Sequence, residues 1–175
     1  MLAAGMAGDR GVMLATKAAI DAIPKPAVGD HNLAREKEKS ALIAFKEGSY
    51  EAAIVRLNEA KKADPSDAEL RTNLGYALIA YERLDDAKNV LVESIALDPG
   101  RGAAWVALGL VLAKQGDPDS AAAAFISSVA VSEPRMNSVE YFKALSKSDE
   151  DSGVKLAAAK ALESRIVKEA ATIAR

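Results

Sequence analysis

The side chains that most often carry out chemistry in proteins are scarce in this sequence. His31 is the only histidine and cysteine is absent, so no thiolate or second imidazole is available to complete a metal site. No nucleophile with a matching base is evident, and catalysis needs several groups in one place. We therefore predict no metal site, no cofactor and no enzymatic activity.

An acidic run at residues 149–151 is the second feature with a chemical interpretation. A calcium-binding loop follows the spacing D-x-[DN]-x-[DN]-G with a later glutamate. In this sequence Gly153 comes one place too early, at a position that should supply a ligand. We interpret the run as a solvated link between helices.

Charge and hydropathy limit the classes of partner. The 175 residues carry 23 basic and 25 acidic side chains, a net charge of -2. This balance provides no basic field that would attract phosphates, so we do not expect nucleic acid as a partner. No apolar run approaches the roughly 20 residues that span a bilayer, and we expect no membrane insertion. We favour the cytoplasm, with a periplasmic mature form or a fragment of a longer chain as alternatives.

The elements that must position any site follow a period of 34 residues, and a fixed period of this size determines the fold. Small and large apolar residues recur in the same order in three units. In the first unit they are Ala41, Ala44, Gly48, Ala53, Leu57, Ala60 and Pro65. In the second they are Leu74, Gly75, Leu78, Ala87, Leu91 and Pro99. In the third they are Trp105, Leu108, Gly109, Leu112, Ala121, Phe125 and, one place late, Pro134.

The motif W-x2-L-G-x2-L that begins at Trp105, followed by A-x3-F from Ala121, resembles the tetratricopeptide repeat. The resemblance implies an all-α fold, a right-handed α-solenoid of stacked antiparallel helix pairs. Three repeats would occupy residues 33–135. An ordinary helical bundle that is periodic by chance is the alternative.

The two ends of the chain depart from the repeat. Residues 1–32 form an N-terminal segment with one predicted helix, Val12–Ile23. Residues 136–175 are predicted to form a degenerate fourth helix pair and a C-terminal cap. In that region Val139–Leu145 looks like a short first helix, and Val154–Ala174 like a long apolar-faced last helix. Because the ends of a repeat stack need caps with a polar outside, we expect the terminal helices to cover them.

Two glycines indicate how the paired helices pack. Gly75 and Gly109 fall in helix interiors, where glycine costs about 1 kcal/mol relative to alanine. We infer that they allow the second helix of each pair to approach closely, with Ala41 in the same role in the first repeat. The spacing Ser66-x-x-Glu69 is typical of a capping box and marks the start of the second repeat.

In this family the first helices of the repeats line a concave groove, and the resemblance implies where the chain would bind. The groove residues that we select are Leu42, Phe45, Lys46, Asn73, Tyr76, Ile79, Val106, Leu110 and Lys114. The same repeat positions also include Arg35, Glu38, Lys39, Glu69, Thr72, Ala80, Ala103, Ala107 and Ala113. An apolar strip with polar edges is typical of a site for a peptide or helix.

We therefore predict a non-enzymatic protein–protein interaction module, a scaffold, adaptor or chaperone that binds a peptide or helix in the groove. In one alternative, the chain's own termini fill the groove or its side chains pack between helices. In another, the chain is a structural assembly subunit that self-associates into a homo-oligomer through its terminal helices.

One branch of the family binds the acidic C-terminal tails of heat-shock chaperones through a carboxylate clamp. The resemblance places the clamp positions at Glu38, Leu42, Asn73, Ala103 and Ala107, and only Asn73 has the expected residue type. We predict that the clamp is absent and that Glu38 would repel a carboxylate.

Overall fold

The chain folds into helices joined by short turns. A computed structural model describes residues 25–131, 136–148, 151–164, 166–168 and 171, and it contains no strand among them. The helices are α1 (His31–Lys46), α2 (Tyr50–Ala63), α3 (Ala68–Ala80), α4 (Leu84–Leu97), α5 (Gly102–Lys114), α6 (Pro118–Val131), α7 (Met136–Leu145) and α8 (Ser152–Glu163). No helix in these ranges is both long enough and apolar enough to cross a membrane.

The turn inside each of the first three helix pairs has the same construction. The residue that ends each turn donates its backbone N–H to the carbonyl oxygen five residues earlier. The distance is 2.8 Å for Ser49 and 2.9 Å for Arg83 and Asp117.

The residue just before the end of each turn has a left-handed φ. It is a glycine in the first and third pairs, and in the second pair it is Glu82, with a φ of 59°. This is a helix C-terminal cap repeated every 34 residues, so the sequence period is also a period of helix termination.

Gly75 and Gly109 lie where the two helices of a pair are in close contact. A Cβ on Gly75 would lie 2.5 Å from Leu91 Cδ2, and a Cβ on Gly109 would lie 2.4 Å from Phe125 Cε1. Both large side chains are completely buried, and so is Ala41 at the corresponding place in α1. The predicted packing role of the two glycines is confirmed, because any larger residue would collide with the second helix.

Helix α1 begins the stack with a polar outer face. Leu70 and Leu74 of α3 are buried in clusters shared with α2. The residues one repeat earlier, Glu36 and Ser40, are exposed. These polar residues give the outer side of α1 a hydrophilic surface where the described stack begins, as the end of a repeat stack requires.

The chain before α1 runs along one edge of the stack, past the ends of later helices. Gly29 donates its N–H to Asp64 Oδ1 at 3.2 Å, just beyond the end of α2. Further upstream, the Lys25 ammonium donates to the carbonyl oxygen of Leu97 at 3.1 Å, at the end of α4. The chain therefore passes from the second pair to the first before α1 starts. The helix predicted over Val12–Ile23 lies outside the described residues.

At the C-terminal end, α8 continues the stack in the place expected for α7. Helix α8 packs on α6 and α5, as α5 packs on α4 and α3, whereas α7 packs mainly on α8. The V-x2-A-A-x2-A spacing from Val154 mirrors the motif at Trp105, but 49 residues later instead of 34. The expectation that Val139–Leu145 is the first helix of a fourth pair is therefore corrected, because α7 is an insertion ahead of that helix.

The long helix predicted over Val154–Ala174 is interrupted at Ser164. That residue has a ψ of 148°, an extended conformation, and residues 166–168 are helical again. The Ser164 hydroxyl accepts the N–H of Val167 at 3.3 Å, as a cap of the second piece would. Val167 is buried in one cluster with α8 side chains, so apolar periodicity continues across the break. The end of the predicted helix, 172–174, lies outside the described residues.

Replacing Gly109 by leucine should destabilise the fold by about 1–3 kcal/mol, the usual effect of overpacking. The new side chain would meet the Phe125 ring and the backbone oxygen of Ala121, which lies 3.1 Å from the Cβ position. Thermal unfolding followed by circular dichroism measures the effect. Ala103→Leu is the matched control, since Ala103 is exposed on the same helix. The melting temperature of this variant should equal that of the wild type. Equal melting of Gly109→Leu and the wild type would contradict the packing role.

Candidate functional site

The predicted groove residues lie on α1, α3 and α5 and differ in their access to solvent. The most open are Leu42, with 41% of its surface exposed, and the two lysines Lys46 and Lys114. The half-buried residues are Phe45, Asn73, Tyr76, Ile79, Val106 and Leu110. The apolar members of this set form what we call the strip: Leu42, Phe45, Tyr76, Ile79, Val106 and Leu110. Leu42 is its most accessible side chain.

The apolar side chains of this strip are held by two neighbouring clusters. Phe45, Tyr76 and Ile79 pack against the core of the first two helix pairs. Val106 and Leu110 pack against the cluster to which α7 and α8 contribute. Because packing against these clusters already holds the side chains in place, the strip is a preformed surface. Binding a ligand would therefore cost little side-chain entropy of the protein.

Three further positions assigned to the groove face the interior instead. Thr72, Ala107 and Ala113 are 1%, 0% and 2% exposed. The Thr72 hydroxyl lies 2.9 Å from Ser94 Oγ, in the interface between α3 and α4. Their assignment to the groove is wrong, because each is a small side chain enclosed by its neighbours, whereas larger residues at the same repeat positions, such as Val106 and Phe45, stay partly exposed.

Helix α7 approaches the strip from its C-terminal side. The Tyr76 hydroxyl donates to the carbonyl oxygen of Ala103 at 3.2 Å. Burial, first, and the phenol of Tyr141 on α7, second, raise the pKa of Tyr76 to about 12, while Arg101 acts in the opposite direction. Val106 and Leu110 of α5 pack against the cluster that contains Val139 and Phe142 of α7, so α7 lies beside the α5 end of the strip. The more open part lies on α1 and α3.

The polar end of the concave face is centred on Arg35. Its guanidinium donates to Glu38, to Asp67 at 2.9 Å and to Glu69 at 3.0 Å. The hydrogen bond to Glu38 is the main reason that the pKa of Arg35 is raised, with burial opposing it. Arg101, just before α5, approaches Glu69 at 3.4 Å. Three carboxylates and two guanidinium groups therefore link three consecutive repeats.

Glu38 is an enclosed member of this network and is only 6% exposed. Its Oε2 accepts from Arg35, and its Oε1 accepts from Asn73 Nδ2 at 2.7 Å. The i,i+3 spacing of Arg35 and Glu38 is a signal that the sequence contains. The partner on α3 lies 35 residues away, and no local pattern indicates that contact.

His31 lies beside two carboxylates that the sequence does not place near it. One imidazole nitrogen of His31 and one carboxylate oxygen each of Asp64 and Asp67 lie within 4.8 Å of one another, a spacing that could hold a metal ion. Asp64 accepts from the Ser66 hydroxyl at 2.7 Å, however, and Asp67, not the predicted Ser66, is the N-cap of α3. The guanidinium of Arg35, 2.9 Å from Asp67, opposes a second cation. These side chains organise the turn between α2 and α3.

Two models of the tetratricopeptide repeat match the chain, one over residues 44–94 and the other over residues 73–130. A search of curated proteins found no match.

Solved structures with a similar fold include three domains that were determined with peptides or partners. The first TPR domain of Spaghetti (RPAP3), bound to the HSP90 peptide SRMEEVD, has a TM-score of 0.61 and 18% identity, and the match covers 67% of this chain and 94% of that one. The second TPR domain of human RPAP3, in complex with the HSP70 peptide SGPTIEEVD, has a TM-score of 0.59 and 20% identity, covering 78% and 100%. The TPR2AB domain of yeast Sti1, in a complex with pHSP90, has a TM-score of 0.62 and 17% identity, covering 89% and 54%. At these sequence identities the similarity establishes a shared fold only.

Asp64 gives the fold a testable dependence on pH. A hydrogen bond from the Ser66 hydroxyl, against the effect of burial and with help from the Gly29 N–H and His31, lowers the pKa of Asp64 from 3.8 to about 2. The ionised carboxylate therefore stabilises the folded chain above pH 3.8, and this contribution is lost as the pH falls through about 2. Asp64→Asn should lower the free energy of unfolding by about 2 kcal/mol at neutral pH. Urea unfolding should show this deficit shrinking as the pH falls from 4 towards 2.

Asp98 provides the matched control, because it occupies the same position one repeat later, is exposed, and accepts from the Gly100 N–H at 3.0 Å. Asp98→Asn should change the unfolding free energy little at any pH. A deficit in Asp64→Asn that does not vary with pH would show that the carboxylate charge has no role.

Proposed function

We propose, since this chain belongs to the tetratricopeptide repeat family, that its concave strip binds a peptide or helix of a protein partner and that the chain serves as a non-enzymatic adaptor or scaffold. Protein interaction is the typical role of such repeats. The observation that carries the proposal is Leu42, 41% exposed on an otherwise fixed apolar strip with Phe45, Tyr76 and Ile79. An exposed apolar side chain on a preformed concave surface offers binding energy without a large ordering cost.

The N-terminal and C-terminal ends of the helices that carry the strip differ in charge, and this favours one orientation of a ligand. At the N-terminal ends of α1 and α3, the network around Arg35 is paired internally. At the opposite end, Lys46 and Lys114 lie exposed in the last turns of α1 and α5. A partner helix with one apolar face and acidic residues at one end complements this surface, since its charges would meet the lysines.

The ligand that we propose differs in kind from the peptides bound in the similar structures. The RPAP3 domains were determined with peptides that end in the sequence EEVD. In this chain the amide of Asn73 already donates to Glu38, and Leu42 is apolar where the clamp would have a polar residue. We therefore propose apolar contacts, and not recognition of a terminal carboxylate, as the source of affinity.

Leu42→Glu should abolish or strongly weaken partner binding while leaving stability nearly unchanged. Loss of a central apolar contact typically costs 1–2 kcal/mol or more, roughly a tenfold or larger rise in Kd. Affinity capture with the wild type would identify binding proteins, and titration calorimetry with each purified binder would then measure Kd.

Val55→Glu is the matched control. Val55 is 53% exposed on α2, which carries no groove residue, so the variant introduces the same charge on a comparably open site. It should bind like the wild type. Equal binding by both variants would contradict a role for the strip, and unfolding of Leu42→Glu would show that Leu42 belongs to the core.

Self-association through the C-terminal end is a second candidate function. Leu156 on α8 and Ile166 just beyond it are 46% and 44% exposed where the described stack ends. If these side chains form an interface, sedimentation velocity should show a dimer at low micromolar concentration. The double variant Leu156→Lys with Ile166→Lys should then be monomeric. A monomeric wild type across that range would contradict self-assembly.

A further inference from the structure

A carboxylate is enclosed at the polar end of the concave face. Glu38 projects from α1 and is 6% exposed, although a charged side chain is almost never buried unless its charge is matched. One carboxylate oxygen accepts from the Arg35 guanidinium on the same helix, and the other accepts from the Asn73 amide on α3 at 2.7 Å. Both oxygens therefore have a donor, and the donors come from adjacent repeats.

The Arg35 guanidinium has anchors besides Glu38, and the Asn73 amide projects from a helix whose backbone is fixed by packing. Arg35 is also bound by Asp67 at 2.9 Å and by Glu69 at 3.0 Å, so its guanidinium has two further anchors. Asn73 lies two residues before Gly75, in a helix that packs closely on α4. A guanidinium and an amide that converge on one small volume form a charge-assisted pair of donors for a carboxylate.

We propose that this arrangement is a carboxylate-binding subsite, and that the chain fills it with its own Glu38 and so excludes the carboxylates of other molecules from this end of the groove. Glu38 is then a specificity-determining residue. A second carboxylate would find both donors occupied, and it would lie beside the charges of Glu38, Asp67 and Glu69, which repel it.

The subsite should become measurable when the internal carboxylate is removed. In Glu38→Ala, the donors of Arg35 and Asn73 would face an empty, partly accessible volume, and acetate supplies the missing group. A ligand that binds only the folded chain raises its stability in a saturable manner. The variant should melt below the wild type in chloride, and acetate at the same ionic strength should raise its melting temperature by several degrees with a millimolar midpoint. The wild type should show no such response, because Glu38 occupies the subsite.

Three controls distinguish binding at this subsite from a general effect of acetate. Glu59→Ala removes a carboxylate that pairs with Lys37 at 2.8 Å on an exposed surface, and it should not respond to acetate. Glu38→Gln keeps the volume filled and should not respond either. Glu38→Ala combined with Asn73→Ala lacks one donor and should lose most of the response.

The proposal is overturned if Glu38→Ala folds and its melting temperature does not rise with acetate, or if Glu59→Ala rises equally. If Glu38→Ala is unfolded in chloride, the same titration follows the return of the helical circular dichroism signal. Failure of acetate to restore that signal also overturns it. None of these measurements depends on a protein partner, so the result is independent of the binding function proposed for the strip.

Discussion

The close approach of the two helices in each pair is the constraint on which the rest of the structure depends. Gly75 and Gly109 leave no room for a Cβ, and the buried side chains Leu91 and Phe125 fill the space opposite them. Tyr76 directly follows Gly75, so its side chain projects about 100° further around the same helix. Packing at Gly75 therefore fixes the direction in which Tyr76 projects.

The concave face combines two chemically different regions on the same helices. At one end, Glu38 joins Arg35 and Asn73 and ties α1 to α3. Towards the other end, Leu42 and its apolar neighbours form a strip backed by the core. Because the buried charges are satisfied within the chain, they contribute to the register between repeats, and the apolar strip is left as the surface that gains most from covering.

The two ends of the stack are completed in different ways. At the beginning, the polar residues Glu36 and Ser40 stand where the next repeat has buried leucines, and they are exposed on the outer side of α1. At the C-terminal end, α8 covers the third pair with small residues, and the inserted helix α7 adds Phe142, whose ring centroid lies 4.8 Å from that of Phe125. Helix α7 also contributes to the cluster against which Val106 and Leu110 of the strip pack.

The sequence alone determined the repeat, the helix pairs and the role of the small residues, because these depend on a local period and on steric rules within one or two turns. The tertiary structure alone decided that Thr72 is buried against α4, because the repeat position that it shares with the partly exposed Val106 does not specify which side chains will enclose it. It also decided that Asn73 binds Glu38, a contact between residues far apart in the chain. Finally, it placed α8, not Val139–Leu145, next in the stack. An insertion shifts the repeat frame, and only the packing of apolar faces against α5 and α6 decides which helix takes the vacant place.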